Sequence, residues 1–303
     1  MTQFQSIDPS SLSPRDRYNF LISSIAPRPI AFASTIDDQG NVNLSPYSFF
    51  NVFSANPPVM IISPTKSVRT HTHKHTYENV KVHPEVVINV VNYGIIEQMS
   101  LASSAYEKGI NEFVKSGLTQ VPSNKVKPPR VAESPVSFEC KVNQVIELSD
   151  EGGAGNLVIC EVVMIHIQEQ YLNSEGNLDS TQLDLVGRMG GSWYCRAHGT
   201  ALFEVKRPGT GLGIGVDMLP QGIRQSRILT GNNLGKLGGL DQMPGDKEIN
   251  EMEHHPRVQD VIQKYALNSQ NRKDELHQLA KECIEEGDPD TALKILLFAE
   301  YTL

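Results

Sequence analysis

Cysteine is scarce in this chain. Cys140, Cys160, Cys195 and Cys283 are its four thiols; they lie far apart and form no C-x-x-C pair. That argues against a disulfide framework and for reduced thiols in a cytoplasmic protein. No apolar run approaches the ~20 residues that a membrane span needs. The polar first residues, with Asp8, Arg15, Asp16 and Arg17, lack the apolar stretch of a secretory signal. Basic charge is also in deficit, with 27 Lys and Arg against 35 Asp and Glu and a net charge of −8. A general nucleic-acid binder needs the opposite balance, so only a local basic patch for an anion is left open. No serine sits in a G-x-S-x-G elbow and no glycine-rich loop ends in G-K-[ST], which removes two common catalytic frames. With 39% hydrophobic and 20% charged residues over 303 positions, the chain reads as globular, with one large domain or two ordinary ones.

The most informative stretch runs from Pro27 to Asn79. Ile30 to Ile36 and Val59 to Ser63 are short runs of β-branched, small and apolar residues, the pattern of buried strands. Between them Asn43-Leu44-Ser45-Pro46-Tyr47-Ser48-Phe49-Phe50 reads as a loop mixing small hydrogen-bonding residues with aromatics. Phe49, Phe50 and Phe53 read as core. After the second strand come Ser63, Thr65, Ser67, Arg69, Thr70, Lys74 and Thr76, a run of hydroxyls and cations where an anion could sit. A planar ring wants an apolar wall with a few orienting polar groups. Flavin mononucleotide (FMN) carries such a ring and a phosphate at opposite ends.

These residues resemble the flavin reductase-like, FMN-binding split-barrel flavoproteins. The likeness lies in Pro27-Arg28-Pro29-Ile30-Ala31, the Asn43 to Phe50 segment, Pro57-Pro58, and Arg69, Lys74, Thr76 and Asn79. It continues through Asn111-Glu112-Phe113, Gly117-Leu118-Thr119, Pro128-Pro129-Arg130, Glu133-Ser134-Pro135 and Glu139-Cys140-Lys141, and closes with Gly187-Arg188-Met189-Gly190-Gly191 and Tyr194. It spans about residues 15 to 200.

The resemblance implies a mainly β fold with α elements, a six-stranded antiparallel FMN-binding split barrel of Greek-key type plus a C-terminal helical extension. It also implies a homodimer with FMN near the interface. Asn43, Ser45, Pro46, Tyr47 and Ser48 would face the ring, and Ser63, Arg69, Lys74, His75, Thr76 and Asn79 would serve the phosphate. Where the family has Lys-Asp-Thr, this chain has Lys74-His75-Thr76. The implied activity is an NAD(P)H-dependent flavin reductase, with NADH or NADPH as co-substrate and a monooxygenase or other electron acceptor as partner. The alternative is an FMN electron carrier reduced by a partner protein; a third reading is an interaction role centred on the C-terminal helices. No catalytic side chain is singled out, because hydride passes directly from nicotinamide to the flavin N5 and the cofactor carries the chemistry. Backbone N–H groups of the Asn43 to Ser48 segment can stabilise charge near N1 and O2.

Elsewhere the signals are local. Ser13-Pro14 marks a helix start. A helix begun at Lys74 is closed by His83-Pro84, and Glu85 to Asn92 forms a strand. Val136 to Leu148 and Leu157 to Gln170 read as long strands, and Ser149 to Asn156 as a plain hairpin joining them. His166 reads as a satisfied core histidine, and His71-Thr72-His73-Lys74-His75 as a solvated or phosphate-facing loop with no metal. Gly209 to Gly215 fails the dinucleotide pattern and reads as a flexible crossing segment. The division expected is 1–207 for the flavin domain and 208–303 for the extension. Helices are expected over Pro256 to Ala266 and Arg272 to Glu286, with a third opened by Asp288-Pro289 after Gly287. Their apolar stripes are expected to dock on the barrel of the same or the partner subunit. The segment around Arg224, Arg227 and Leu229 to Asn233 reads as a polar loop, either a lid over the flavin cleft or a docking element that only stabilises the dimer.

Overall fold

Local signals start most elements. Ser13 Oγ accepts from the Asp16 N–H at 3.1 Å and Pro14 occupies the first turn of α1 (Pro14–Ser24). This meets the need of an uncapped helix start. The computed structural model describes residues 3–205 and 212–301. The chain divides into two compact units, Met1–Phe203 and Glu204–Leu303.

In the first unit α1 is followed by β1 (Ala31–Ile36), β2 (Val42–Tyr47), β3 (Phe50–Ala55), β4 (Pro58–Ile62), α2 (His75–Val82), β5 (Glu85–Val90), α3 (Ile96–Ala102) and α4 (Glu112–Ser116). A small ladder, β6 (Gln120–Val121) with β7 (Arg130–Val131), precedes the long strands β8 (Val136–Glu147) and β9 (Asn156–Ile167). The hairpin β10 (Leu185–Arg188) and β11 (Tyr194–Ala197) ends the set.

Seven strands, not six, form one antiparallel sheet in the order β2-β1-β5-β8-β9-β4-β3. The two ends of that order, β2 and β3, are consecutive in sequence and separated only by Ser48 and Phe49. A flat sheet would hold them roughly 29 Å apart, at ~4.8 Å per strand spacing. Three Cα steps reach about 11 Å, so the sheet curls until its edges converge at this corner. It is a curled open sheet rather than a closed barrel; no ladder joins β2 to β3 among the described residues. The loop expected over Asn43 to Phe50 is therefore mostly strand. Pro46 sits in β2 opposite Phe32, and it is tolerated because β2 is a terminal strand of the order. Phe53 corrects a second expectation: it lies exposed on β3, with Phe49 and Phe50 half-buried.

Side chains alternate between two cores. Ala31 and Ala33 join Met60, Ile62, Val86, Ile88, Cys140, Val158 and Cys160 on one face, with Val80 of α2 against them. Phe32 points the other way, to Leu44, Met99, Phe113, Leu118 and Val186. Covered on both sides, β1 is buried at every position.

The second unit holds α5 (Gln221–Arg224), α6 (Gly231–Gly238), α7 (Asp246–Asn250), α8 (Pro256–Lys264), α9 (Ser269–Glu285) and α10 (Pro289–Tyr301). Asp288 caps α10 through the Thr291 N–H at 3.0 Å, and Gly287, at φ +91°, ends α9. Ala292, Leu293, Ile295, Leu296, Leu297, Phe298 and Ala299 of α10 are all buried, packed with residues of α5 to α9. The apolar stripes thus cover one another within the unit. The segment read as a polar loop opens α6: Thr230 and Asn233 form a capping box and Leu229 is buried. The expected boundary at 207/208 and Gly209 to Gly211 lie outside the described residues. Gly213 and Gly215 are held: a Cβ at Gly213 would stand 2.6 Å from the Gly238 carbonyl, and the Gly215 N–H donates to that carbonyl at 2.9 Å. Close backbone approach at Gly213 and a φ of +79° at Gly215, not phosphate, explain these glycines. No helix among the described residues is long and apolar enough to cross a membrane.

Candidate functional site

The corner where β2 turns into β3 lies beside the start of α2, where Tyr47 meets Thr76, and the sequence-derived residues fall into two groups. One group is buried. Thr76, fully buried in the first turn of α2, accepts from Asn43 Nδ2 at 2.9 Å and from the Tyr47 hydroxyl at 2.8 Å. Asn79, one turn on, donates to Thr35 Oγ1 at 3.0 Å, and Asn43 Nδ2 lies 3.5 Å from the same oxygen. Asn43, Tyr47, Thr76 and Asn79 therefore bond to one another through Thr35 and tie α2 to β1 and β2. Burial pushes the Tyr47 hydroxyl up to about 12, against the lowering effect of the Thr76 and Ser45 hydroxyls.

Glu112 completes this group, and the sequence marked it only as part of a motif. Its side chain is buried and accepts the Leu44 N–H of β2 at 2.9 Å. Burial raises its carboxyl above the usual range; the Leu44 N–H and nearby His75 pull the other way without cancelling that.

The other group is open. Arg69 and Lys74 are exposed and make no side-chain hydrogen bond or ion pair among the described residues. Lys74 is the N-cap of α2 and leaves the helix start without a side-chain cap, so N–H groups there have no intrahelical partner. Arg69 lies within a tight turn, Ser67 to Thr72, that precedes Lys74. His71 donates its N–H to the Ser67 carbonyl and Ser67 to that of Thr72, both at 2.9 Å, with His71 at φ +55°. The histidines do not converge: His73 stacks on Tyr77 at 3.9 Å, and no cluster of three metal-ligating side chains occurs among the described residues. Ser45, Pro46 and Ser48 are half-buried at the corner, His75 is half-buried at the first position of α2, and Ser63 is buried at the end of β4.

Arg28 stands within the Pro-Arg-Pro motif, and its position explains that motif. It is buried and donates to the carbonyls of Ile22, Ile25 (2.6 Å) and Met189 (3.1 Å), with a longer contact of 3.4 Å to Ser48 Oγ. Its backbone pairs with Arg188 in both directions. A Cβ at Gly187 would stand 2.7 Å from Pro27, and one at Gly190 would stand 2.5 Å from Ser23 Oγ. The Pro-Arg-Pro and Gly-Arg-Met-Gly-Gly motifs are two sides of one clasp beside the corner.

Away from the corner, His166 Nε2 lies 2.6 Å from the buried Glu139 carboxylate. Burial raises the Glu139 pKa, but the Asn124 and Lys125 N–H groups and His166 outweigh it and hold the carboxyl below its usual range. All four cysteines are free thiols.

With this geometry, residues 23–182 match the flavin reductase like domain. Uncharacterized protein BH2278 of Halalkalibacterium halodurans is 36% identical over 204 residues, covering 67% of this chain and 96% of its own. Nitrilotriacetate monooxygenase component B from Bacillus cereus superposes with a TM-score of 0.62 at 26% identity, over 68% of this chain and 100% of its own. The 2-nitrobenzoate 2-nitroreductase NbaA of Pseudomonas fluorescens does so with a TM-score of 0.60 at 28% identity, over 72% and 99%.

Proposed function

The chain belongs to the flavin reductase-like family, and on that premise we propose that it binds FMN at the β2–β3 corner and works as an NAD(P)H-dependent flavin oxidoreductase. The observation that carries this is exposed Lys74 at the uncapped start of α2, with exposed Arg69 five residues before it and neither side chain bonded among the described residues. Backbone N–H groups and a positive helix end suit a phosphate. Arg69, Lys74, His75 and Ser63 hold it; Ser45, Pro46 and Ser48 line the ring. Asn43, Tyr47, Thr76 and Asn79 act from behind, keeping α2 and β2 in register.

When bound, FMN supplies the redox chemistry, accepting hydride from reduced nicotinamide at N5. The chain's part is to orient the ring at the corner and to leave one face open. The buried Thr76 network keeps the corner from moving when the phosphate is gripped. Exposed Phe20, Leu21 and Ile25 around α1 and Val52 and Phe53 on β3 are the surface on which a second copy would pair. The similarity to a monooxygenase component makes such an enzyme the class of acceptor to try first.

An anaerobic titration tests the reading. The purified protein, loaded with FMN, should be yellow and should bleach with NADH or NADPH. Bleaching only with dithionite would replace the enzyme by a carrier reduced by a partner protein. A colourless protein that takes up no FMN would defeat both.

A further inference from the structure

The glycine-rich loop Ser149 to Asn156 is more than a connection between β8 and β9. It is fastened along the segment that leaves β4. Lys66 N–H donates to the Ala154 carbonyl and Gly153 N–H to the Lys66 carbonyl, both at 2.9 Å, and Thr65 forms a bridge with Gly155. Asn156 Nδ2, buried, donates to the Pro64 carbonyl at 2.8 Å, and Lys66 Nζ donates to the Asp150 carbonyl at 2.9 Å. Lys66 is thereby engaged, while Arg69 and Lys74 beyond it make no side-chain bond among the described residues.

The fit requires glycine for lack of space. A Cβ at Gly155 would stand 2.6 Å from Ser63 Oγ, and one at Gly152 would stand 3.0 Å from the Val68 Cα. Gly155 has no positive φ, so alanine there is permitted by its own backbone and opposed only by Ser63. The segment from Ser63 is thus pinned over residues 64–66 by the loop and at the far end by Thr76, with the exposed cations between.

We propose that this loop sets the selectivity of the site for a phosphorylated flavin, and that Gly155 is the positioning residue through which it acts. Gly155 lets Ser63 and the chain after it lie where Arg69 and the start of α2 converge on one anion. The inference rests on the FMN reading above.

Full-length protein stripped of flavin is titrated with FMN and with riboflavin, following quenching of flavin fluorescence. Wild type should prefer FMN by about tenfold or more, the worth of one charge-assisted bond. In Gly155→Ala the FMN affinity should fall about tenfold while riboflavin binding stays unchanged. Adding Ser63→Ala removes the clashing oxygen, so the double variant should bind FMN no worse than Ser63→Ala alone. Lys66→Met loosens the same attachment from the segment after β4 and should lower FMN affinity alone, about threefold, the scale of one hydrogen bond; it decides the matter if Gly155→Ala does not fold. The inference fails if Gly155→Ala and Lys66→Met keep the wild-type preference, or lose both flavins equally. A wild type that binds neither flavin, or both alike, overturns the FMN reading itself and the inference with it.

Discussion

The two halves of the candidate site are built on opposite plans. Inside, Thr35, Asn43, Tyr47, Thr76 and Asn79 bond to one another with little exposure. Outside, Arg69 and Lys74 stand exposed without side-chain partners among the described residues. A buried polar group is costly unless bonded, so the inner set must be complete before any ligand arrives. An exposed cation costs nothing to leave free and loses little by waiting. The lesson is that polar residues adjacent in one motif can have separate duties. Thr76 and Lys74 are two positions apart, yet one holds the helix in place and the other is available to an anion.

Breaking the inner set should have the largest effect. Thr76→Val keeps the shape but strands the Asn43 amide and the Tyr47 hydroxyl, each worth roughly 1–3 kcal/mol when left unsatisfied. Urea unfolding should show a loss of about 2–4 kcal/mol. A loss within ~0.5 kcal/mol, the range of a neutral surface change, would mean that the network is not holding α2.

The outer set should respond in the opposite way. Arg69→Ala and Lys74→Ala should leave unfolding within ~0.5 kcal/mol of wild type. Each should weaken FMN binding about tenfold without affecting riboflavin. If either variant still tells the two flavins apart as wild type does, that cation is an ordinary surface charge.

Glu112 sharpens the comparison by pH. Its folded-state pKa is raised by burial, so its contribution is fully present below the unfolded value and is lost as pH rises through the folded one. Glu139 has the reverse sign: its folded pKa is lowered, and its contribution is present above the unfolded value and lost as pH falls through the folded one. Glu112→Gln keeps an acceptor for the Leu44 N–H and should remove the loss on the alkaline side of the carboxylate range. Glu139→Gln should remove part of the acid-side loss. Tm measured against pH checks both, and identical profiles for the two variants would refute the assignment.

Salt should give the smallest effect. Exposed cations are screened at about 8 Å in physiological salt, so FMN affinity should fall as salt is raised while riboflavin affinity stays level. A fall of equal size for both flavins would take the phosphate off Arg69 and Lys74.

What the sequence by itself determined is local. Ser13-Pro14 and Asp288-Pro289 open helices, Gly287 closes one, and runs of β-branched, small and apolar residues give β1, β4, β5, β8 and β9, because caps, φ preferences and side-chain period act over a few residues. The order of motifs pointed to the family for the same reason, being a property of the string. Tertiary structure decided the rest. Asn43 to Phe50 reads as a loop, since serine and proline disfavour strands, yet β1 supplies the partner that makes β2, and Pro46 survives because β2 ends the strand order. No local signal separates buried Thr76 from free Lys74, or gives Gly155 its meaning, which comes from Ser63, 92 positions earlier, lying 2.6 Å from where its Cβ would be. Nor does the period of α10 say what would cover it; helices of its own unit do. Burial and close approach belong to pairs of residues distant in sequence, and only the folded chain brings those pairs together.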